Sequence, residues 1–161
     1  MKQTARTAAL LASAVTVSAL AGTLFTPRPG TETGLWYGRL KKSPLNPPAA
    51  VFGPVWTLLY ALIAISAFRV WNSDASDRER KTALTLWTAQ LGLNAAWTPI
   101  FFGAKQPALA LCDLVALIVV AGTYNRKASE IDQAAALLFV PYMAWLGFAL
   151  FLNSEVVRRN P

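Results

Sequence analysis

The sequence predicts an all-α integral membrane protein: a single domain over residues 1–161, with five transmembrane helices bundled under a long, basic, proline-rich first loop. Three observations carry this. Only 14% of residues are charged and 55% are hydrophobic, with mean hydropathy +0.39, whereas soluble domains carry about 25% charged residues. The charges are clustered: charge-free runs of 21, 26, 23 and 22 residues follow Arg6, Lys42, Lys81 and Asp132, and a run of 20 after Lys105 is broken only by Asp113. A crossing helix takes roughly 17–25 apolar residues, so five spans fit and little chain remains for a soluble domain. Third, the basic residues sit at the ends of the apolar runs, where headgroups favour them. The net charge of +7 therefore points to a membrane surface and not to nucleic acid.

Composition also excludes chemistry. The chain has no histidine, which removes the commonest metal ligand, general base and haem ligand. Its one cysteine, Cys112, lies within a span and forms no internal disulfide. No hydrolytic triad, metal-ligand cluster or nucleotide loop is present.

The first span, about 7–25, has two readings. Lys2 and Arg6 before an apolar run that ends near Ala19-Leu20-Ala21-Gly22 also describe a cleaved signal peptide. The run is longer than a signal's apolar core, which favours a retained helix. Ala14, Ser18 and Gly22 form a small-residue strip along which another helix can approach.

The first loop, Pro27 to Pro48, opens on the helix stop Pro27-Arg28-Pro29-Gly30. Around Pro44, Pro47 and Pro48 the backbone cannot be helix interior. The loop also carries Trp36, Arg39, Lys41 and Lys42. The chain then enters the second span, about 51–71, with Pro54 expected in its first turn. Trp56, Tyr60, Ile63 and Ala67 form one stripe there. Between this span and the next, Ser76 and Glu79 have the spacing of a capping box.

The third span, about 82–102, places Trp87, Gln90, Asn94, Trp97 and Phe101 on one face. Amides are costly against lipid, so that face is expected to look into the bundle. Two roles fit Gln90 and Asn94, hydrogen bonding to neighbouring helices and contact with a ligand. The fourth span, about 107–124, contains Asp113, the only charge inside a span. Either a functional site or local pairing near the interface accounts for it. The fifth span, about 134–153, aligns Tyr142, Trp145, Ala149 and Asn153, and Pro141 is expected to kink it or to begin its ordered part. Eight basic residues fall on one side and seven on the other, so charge gives no orientation.

Taken together, these blocks resemble the TspO/MBR family of tryptophan-rich sensory and translocator proteins. They are Trp36-Tyr37 with the basic loop, Pro47-Pro48 through Val51-Phe52-Gly53-Pro54-Val55-Trp56 to Tyr60, Gln90-Leu91 with Asn94, Trp97 and Phe101-Phe102-Gly103, the Asp113 helix, and Pro141-Tyr142 with Trp145, Phe148, Ala149 and Asn153. The resemblance covers nearly the whole chain. It implies a retained first helix and a membrane bundle that forms homodimers, with the first loop over an interhelical pocket. It further implies porphyrins and haem-related tetrapyrroles as ligands, together with sterols and benzodiazepine-type compounds, and no required cofactor. The implied pocket residues are Trp36, Trp56, Asn94, Trp97, Trp145 and Ala149, and Tyr60, Gln90 and Tyr142 share their faces. A flat macrocycle suits indole stacking, with its propionates near Arg39, Lys41 or Lys42. One departure concerns the sterol pattern of the animal members, which needs a tyrosine after the fifth helix; here Leu152 and Arg158 frame Ser154.

Three functions compete at this point. The first is a membrane receptor or sensor for tetrapyrroles, linked to tetrapyrrole and stress regulation. The second is light- and oxygen-dependent porphyrin degradation, with Trp56 and Trp145 as candidate redox-active indoles. The third is tetrapyrrole or sterol transport, which the lack of internal repeats ranks last. Inner and outer membranes are both open.

Overall fold

The computed structural model describes residues 2–161, with side chains from residue 9 onward except 21 and 23. Six α-helices follow one another: α1 Lys2–Leu24, α2 Glu32–Arg39, α3 Ala49–Trp71, α4 Asp77–Thr98, α5 Pro107–Ile131 and α6 Gln133–Arg159. A π-helical turn, Pro99–Gly103, prolongs α4. Three of the helices, α3, α5 and α6, are long and apolar enough to cross a membrane. Helix α5 packs between α4 and α6, α3 lies against α6, and α1 packs on both α3 and α4.

Several ends differ from the sequence expectation, each for a local reason. Helix α3 begins at Ala49, so Pro54 falls in its second turn and not its first. Helix α4 starts at Asp77, ahead of its apolar run, because the capping box forms: Ser76 N–H donates to Glu79 Oε2 (2.9 Å) and Glu79 N–H to Ser76 Oγ (3.3 Å). Helix α5 runs past the apolar span to Ile131, with Arg126 and Lys127 paired to Glu130 along its surface. Only Asp132 separates it from α6, and that carboxylate caps the new helix by accepting from Ala135 N–H at 3.0 Å. Pro141 is internal to α6, whose ordered part starts eight residues earlier.

The first loop contains a helix that its prolines hid. Thr31 caps α2 by accepting from Gly34 N–H at 3.1 Å. Gly34 is the residue that permits this turn, since a Cβ there would lie 2.1 Å from the Arg28 carbonyl oxygen. Pro27 and Pro29 precede α2 and Pro44, Pro47 and Pro48 follow it, all outside any helix. The π turn has an equally local cause. Pro99 has no N–H to give, and Ala104 N–H reaches five residues back to the Pro99 carbonyl (2.8 Å).

The small-residue strip of α1 is used inside the chain. Ser18 is buried and donates to the Leu91 carbonyl of α4 (3.3 Å), and Gly22 sits beside Thr98.

Candidate functional site

The α4 face looks into the bundle: Trp87, Gln90, Asn94 and Phe101 are buried, and Trp97 is half-buried. The helical spacing of three and four residues aims these side chains at α3 and α6, where their partners stand. The polar ones form a relay. Tyr60 OH of α3 donates to Asn94 Oδ1 (2.8 Å), and the single Ser18 O–H of α1 is shared between that oxygen (3.2 Å) and the Leu91 carbonyl. Asn94 Nδ2 donates to Tyr142 OH of α6 (3.1 Å), and Tyr142 OH donates on to Gln90 Oε1 (2.9 Å). Four helices are thereby joined through one asparagine. The relay ends at Gln90 Nε2, a buried donor with no hydrogen-bond partner among the described residues. Asp113 Oδ2 on α5 is likewise buried as an atom and unpartnered.

Rings enclose this relay on one side. Trp56 lies 5.1 Å from Tyr60, 6.3 Å from Tyr142 and 6.3 Å edge-on from Trp145, measured between ring centroids. Trp145 in turn meets Phe52 and Phe148, each at 5.8 Å. Ala149, one turn beyond Trp145, is partly exposed and, like Trp56 and Trp145, packs against the buried core.

A second ring cluster joins the loop to the bundle. Trp97 stacks on Phe101 at 4.7 Å, and Trp36 of α2 meets Phe101 edge-on at 5.9 Å. Tyr37 meets Phe102 at 5.3 Å. Trp97 Nε1 donates to Asn153 Oδ1 (3.1 Å), whose amide donates to the Pro107 carbonyl (2.9 Å), so α4, α5 and α6 are tied at this level. Further out, Asn160 brackets the loop backbone: Lys41 N–H donates to Asn160 Oδ1 (3.0 Å) and Asn160 Nδ2 to the Lys41 carbonyl (3.1 Å). Glu32 pairs with Lys105, and that ion pair holds the Glu32 carboxyl below its ordinary value.

The expected residues therefore divide. Trp56, Tyr60, Gln90, Asn94, Tyr142, Trp145 and Ala149 come together, and Trp36 meets Trp97 through Phe101. Arg39 and Lys41 are exposed. Lys42 is spent on its own loop: Nζ donates to the Tyr37 (2.6 Å) and Leu40 (3.2 Å) carbonyls and stands 4.4 Å from the Tyr37 ring centroid. It thus closes the end of α2, and burial lowers its ammonium from the ordinary lysine value and raises the Tyr37 phenol. Ser18, expected as a helix-approach position, and Phe52, quoted within a motif, were not expected as site residues, and Asn160 was not expected at all. Phe52 had a signal in its four-residue spacing from Trp56, and Ser18 in being the polar member of the α1 strip. Asn160 had none.

Chemically, the arrangement offers aromatic edges and faces and phenol and amide hydrogen bonds, with the exposed cations Arg39 and Lys41 on the adjoining loop. Among the described residues, no three His, Cys, Asp or Glu side chains gather as metal ligands.

The TspO/MBR family model matches residues 9–159. The human translocator protein is 40% identical over 126 residues, 78% of this chain and 75% of its own. The tryptophan-rich sensory protein of Cereibacter sphaeroides is 38% identical over 125 residues, 78% and 77% of the two chains. The tryptophan-rich protein TspO of Archaeoglobus fulgidus is 36% identical over 156 residues, 94% and 96% of the two chains.

Proposed function

We propose, from the premise that this chain belongs to the TspO/MBR family, that it is a multi-pass membrane receptor for tetrapyrroles. In this reading α1 and α4 cross the membrane alongside α3, α5 and α6, making five crossings. Helix α4 carries its amides inward and its charges in its first turns, so a low average hydropathy does not bar it from lipid. The macrocycle lies against Trp56 and Trp145, with Asn94, Tyr60 and Tyr142 supplying polar contacts from the relay and Ala149 leaving room for a ring edge. Trp36 and Trp97 border it on the loop side. Its propionates face Arg39 and Lys41, the exposed cations of the loop.

The observation that carries this reading is the indole pair Trp56–Trp145 packed directly on the Tyr60–Asn94–Tyr142 relay. Indole rings thus stand beside a phenol–amide relay whose groups can exchange partners for those of a ligand, which suits a flat polar-edged one.

The test is titration of the purified protein with protoporphyrin IX in the dark and then under illumination, with Trp145→Phe alongside. Saturable quenching of tryptophan emission, with porphyrin bands stable in light, is the expected result. Light-driven loss of those bands that Trp145→Phe abolishes would replace the receptor with a photo-oxidative enzyme working through the indoles. Absence of saturation would remove the tetrapyrrole.

A further inference from the structure

At the end of the bundle away from the loop, a surface hollow of about 370 Å³ is lined by Trp71, Asp77, Arg80, Lys81 and Leu84. The tetrapyrrole reading makes no use of it. Trp71 is the last residue of a helix long and apolar enough to span a membrane, and it is 42% exposed. A tryptophan at that position belongs at the membrane–water interface, so the hollow opens at headgroup level.

Its charges are not equivalent. Arg80 donates to the Ser73 carbonyl (2.9 Å) and pairs with Asp77, which fixes the guanidinium and compensates its charge. Lys81 is exposed and has no hydrogen-bond or ion-pair partner among the described residues. The hollow therefore combines one uncompensated ammonium with an exposed indole and an aliphatic side chain one turn further along α4. An anionic group anchored to hydrocarbon satisfies both at once: the charge on Lys81, the first carbons on Trp71 and Leu84.

We propose that this hollow is a phospholipid site, with the lipid phosphate on Lys81 and its glycerol and upper acyl carbons on Trp71 and Leu84. Because it recognises the phosphate, it takes phosphatidylcholine and phosphatidylglycerol alike. It does not take the corresponding diacylglycerol.

Native mass spectrometry of the detergent-solubilised protein, with dioleoylphosphatidylcholine or dioleoylglycerol added, tests this. The phosphatidylcholine adduct should survive on the unmodified chain and fall at least threefold in Lys81→Ala and in Trp71→Ala, while dioleoylglycerol is not retained. Equal phosphatidylcholine occupancy in Lys81→Ala, or equal retention of dioleoylglycerol, overturns the proposal. Displacement of the lipid by millimolar inorganic phosphate also overturns it, in favour of a free-anion site. Lys81→Gln, at the same exposed position, repeats the charge test should the alanine variant be poorly folded. Protoporphyrin titration of these variants should match the unmodified chain, so that failure here is distinct from failure of the tetrapyrrole reading.

Discussion

In the half of the bundle near the turns at 72–76 and 132, the helices meet through alanine. Ala67, Ala83, Ala121, Ala128 and Ala135 are fully buried there, one or two from each of α3, α4, α5 and α6. Among the polar contacts of that half, Ser66 Oγ donates to the Ala135 carbonyl and shares a hydrogen bond with Tyr124 OH, both 2.8 Å, while Asn125 Oδ1 is a buried acceptor with no partner among the described residues. In the half beneath the loop, α3, α6 and the end of α4 with its π turn carry the large rings Trp56, Trp97, Phe101, Tyr142 and Trp145. Their polar relay there ends on a Gln90 amide with no partner among the described residues. Small side chains let helix backbones approach, and association in lipid rests on that packing. One half is therefore richer in close alanine contacts around the Tyr124–Phe139 ring pair, and the other carries the larger ring cluster with the buried relay, where the proposed ligand is placed.

Enlarging an alanine separates the halves most sharply. Ala135→Leu should destabilise the bundle by about 1–3 kcal/mol, since a filled interface has nowhere to put the added carbons. Ala149→Leu, at a half-buried position, should leave unfolding in detergent nearly unchanged. It should weaken protoporphyrin IX at least tenfold, about 1.4 kcal/mol. Thermal unfolding and ligand titration of the two variants check both arms, and equal unfolding losses would dissolve the comparison.

Removing one hydroxyl from each half comes next. Tyr142→Phe strands the Asn94 amide and the Gln90 carbonyl together, with an expected cost of about 1–3 kcal/mol. Tyr124→Phe leaves Ser66 still bonded to the Ala135 carbonyl, and the expected cost is about 1 kcal/mol or less. Denaturant or thermal unfolding compares them directly.

The smallest effect concerns pH and the loop. Pairing with Lys105 holds the Glu32 carboxyl below its ordinary value. Its stabilising contribution is then complete above the unfolded glutamate value of about 4.3 and is lost as pH falls through the lower folded value. Hydrogen exchange over Glu32–Arg39 should stay constant from pH 7 to about 5, on a correction for intrinsic rates, and rise below that range. Glu32→Gln should be flat across it.

Much of this was legible along the chain. The Trp87–Gln90–Asn94–Trp97–Phe101 face, the Ser76–Glu79 box and the aromatic stripes of α3 and α6 follow from helical spacing, which is local. Helix α2 was hidden because its flanking prolines signal loop, while its own start depends on Gly34 fitting against the Arg28 carbonyl. The continuous α5 and the one-residue turn at Asp132 were hidden because charged ends of a span look like loop until their own ion pairs extend the helix.

The sequence by itself determined the helical class, the apolar runs, the family and which faces look inward, because periodicity and composition are set by near neighbours. Only the tertiary structure decided that Asn94 joins Ser18, Tyr60 and Tyr142, that Lys42 closes α2, and that Asn160 holds Lys41. It also decided that Gln90 is left with a donor unspent among the described residues. Each depends on the height at which remote helices meet, and a shift of one turn, about 5.4 Å, would hand every donor a different partner.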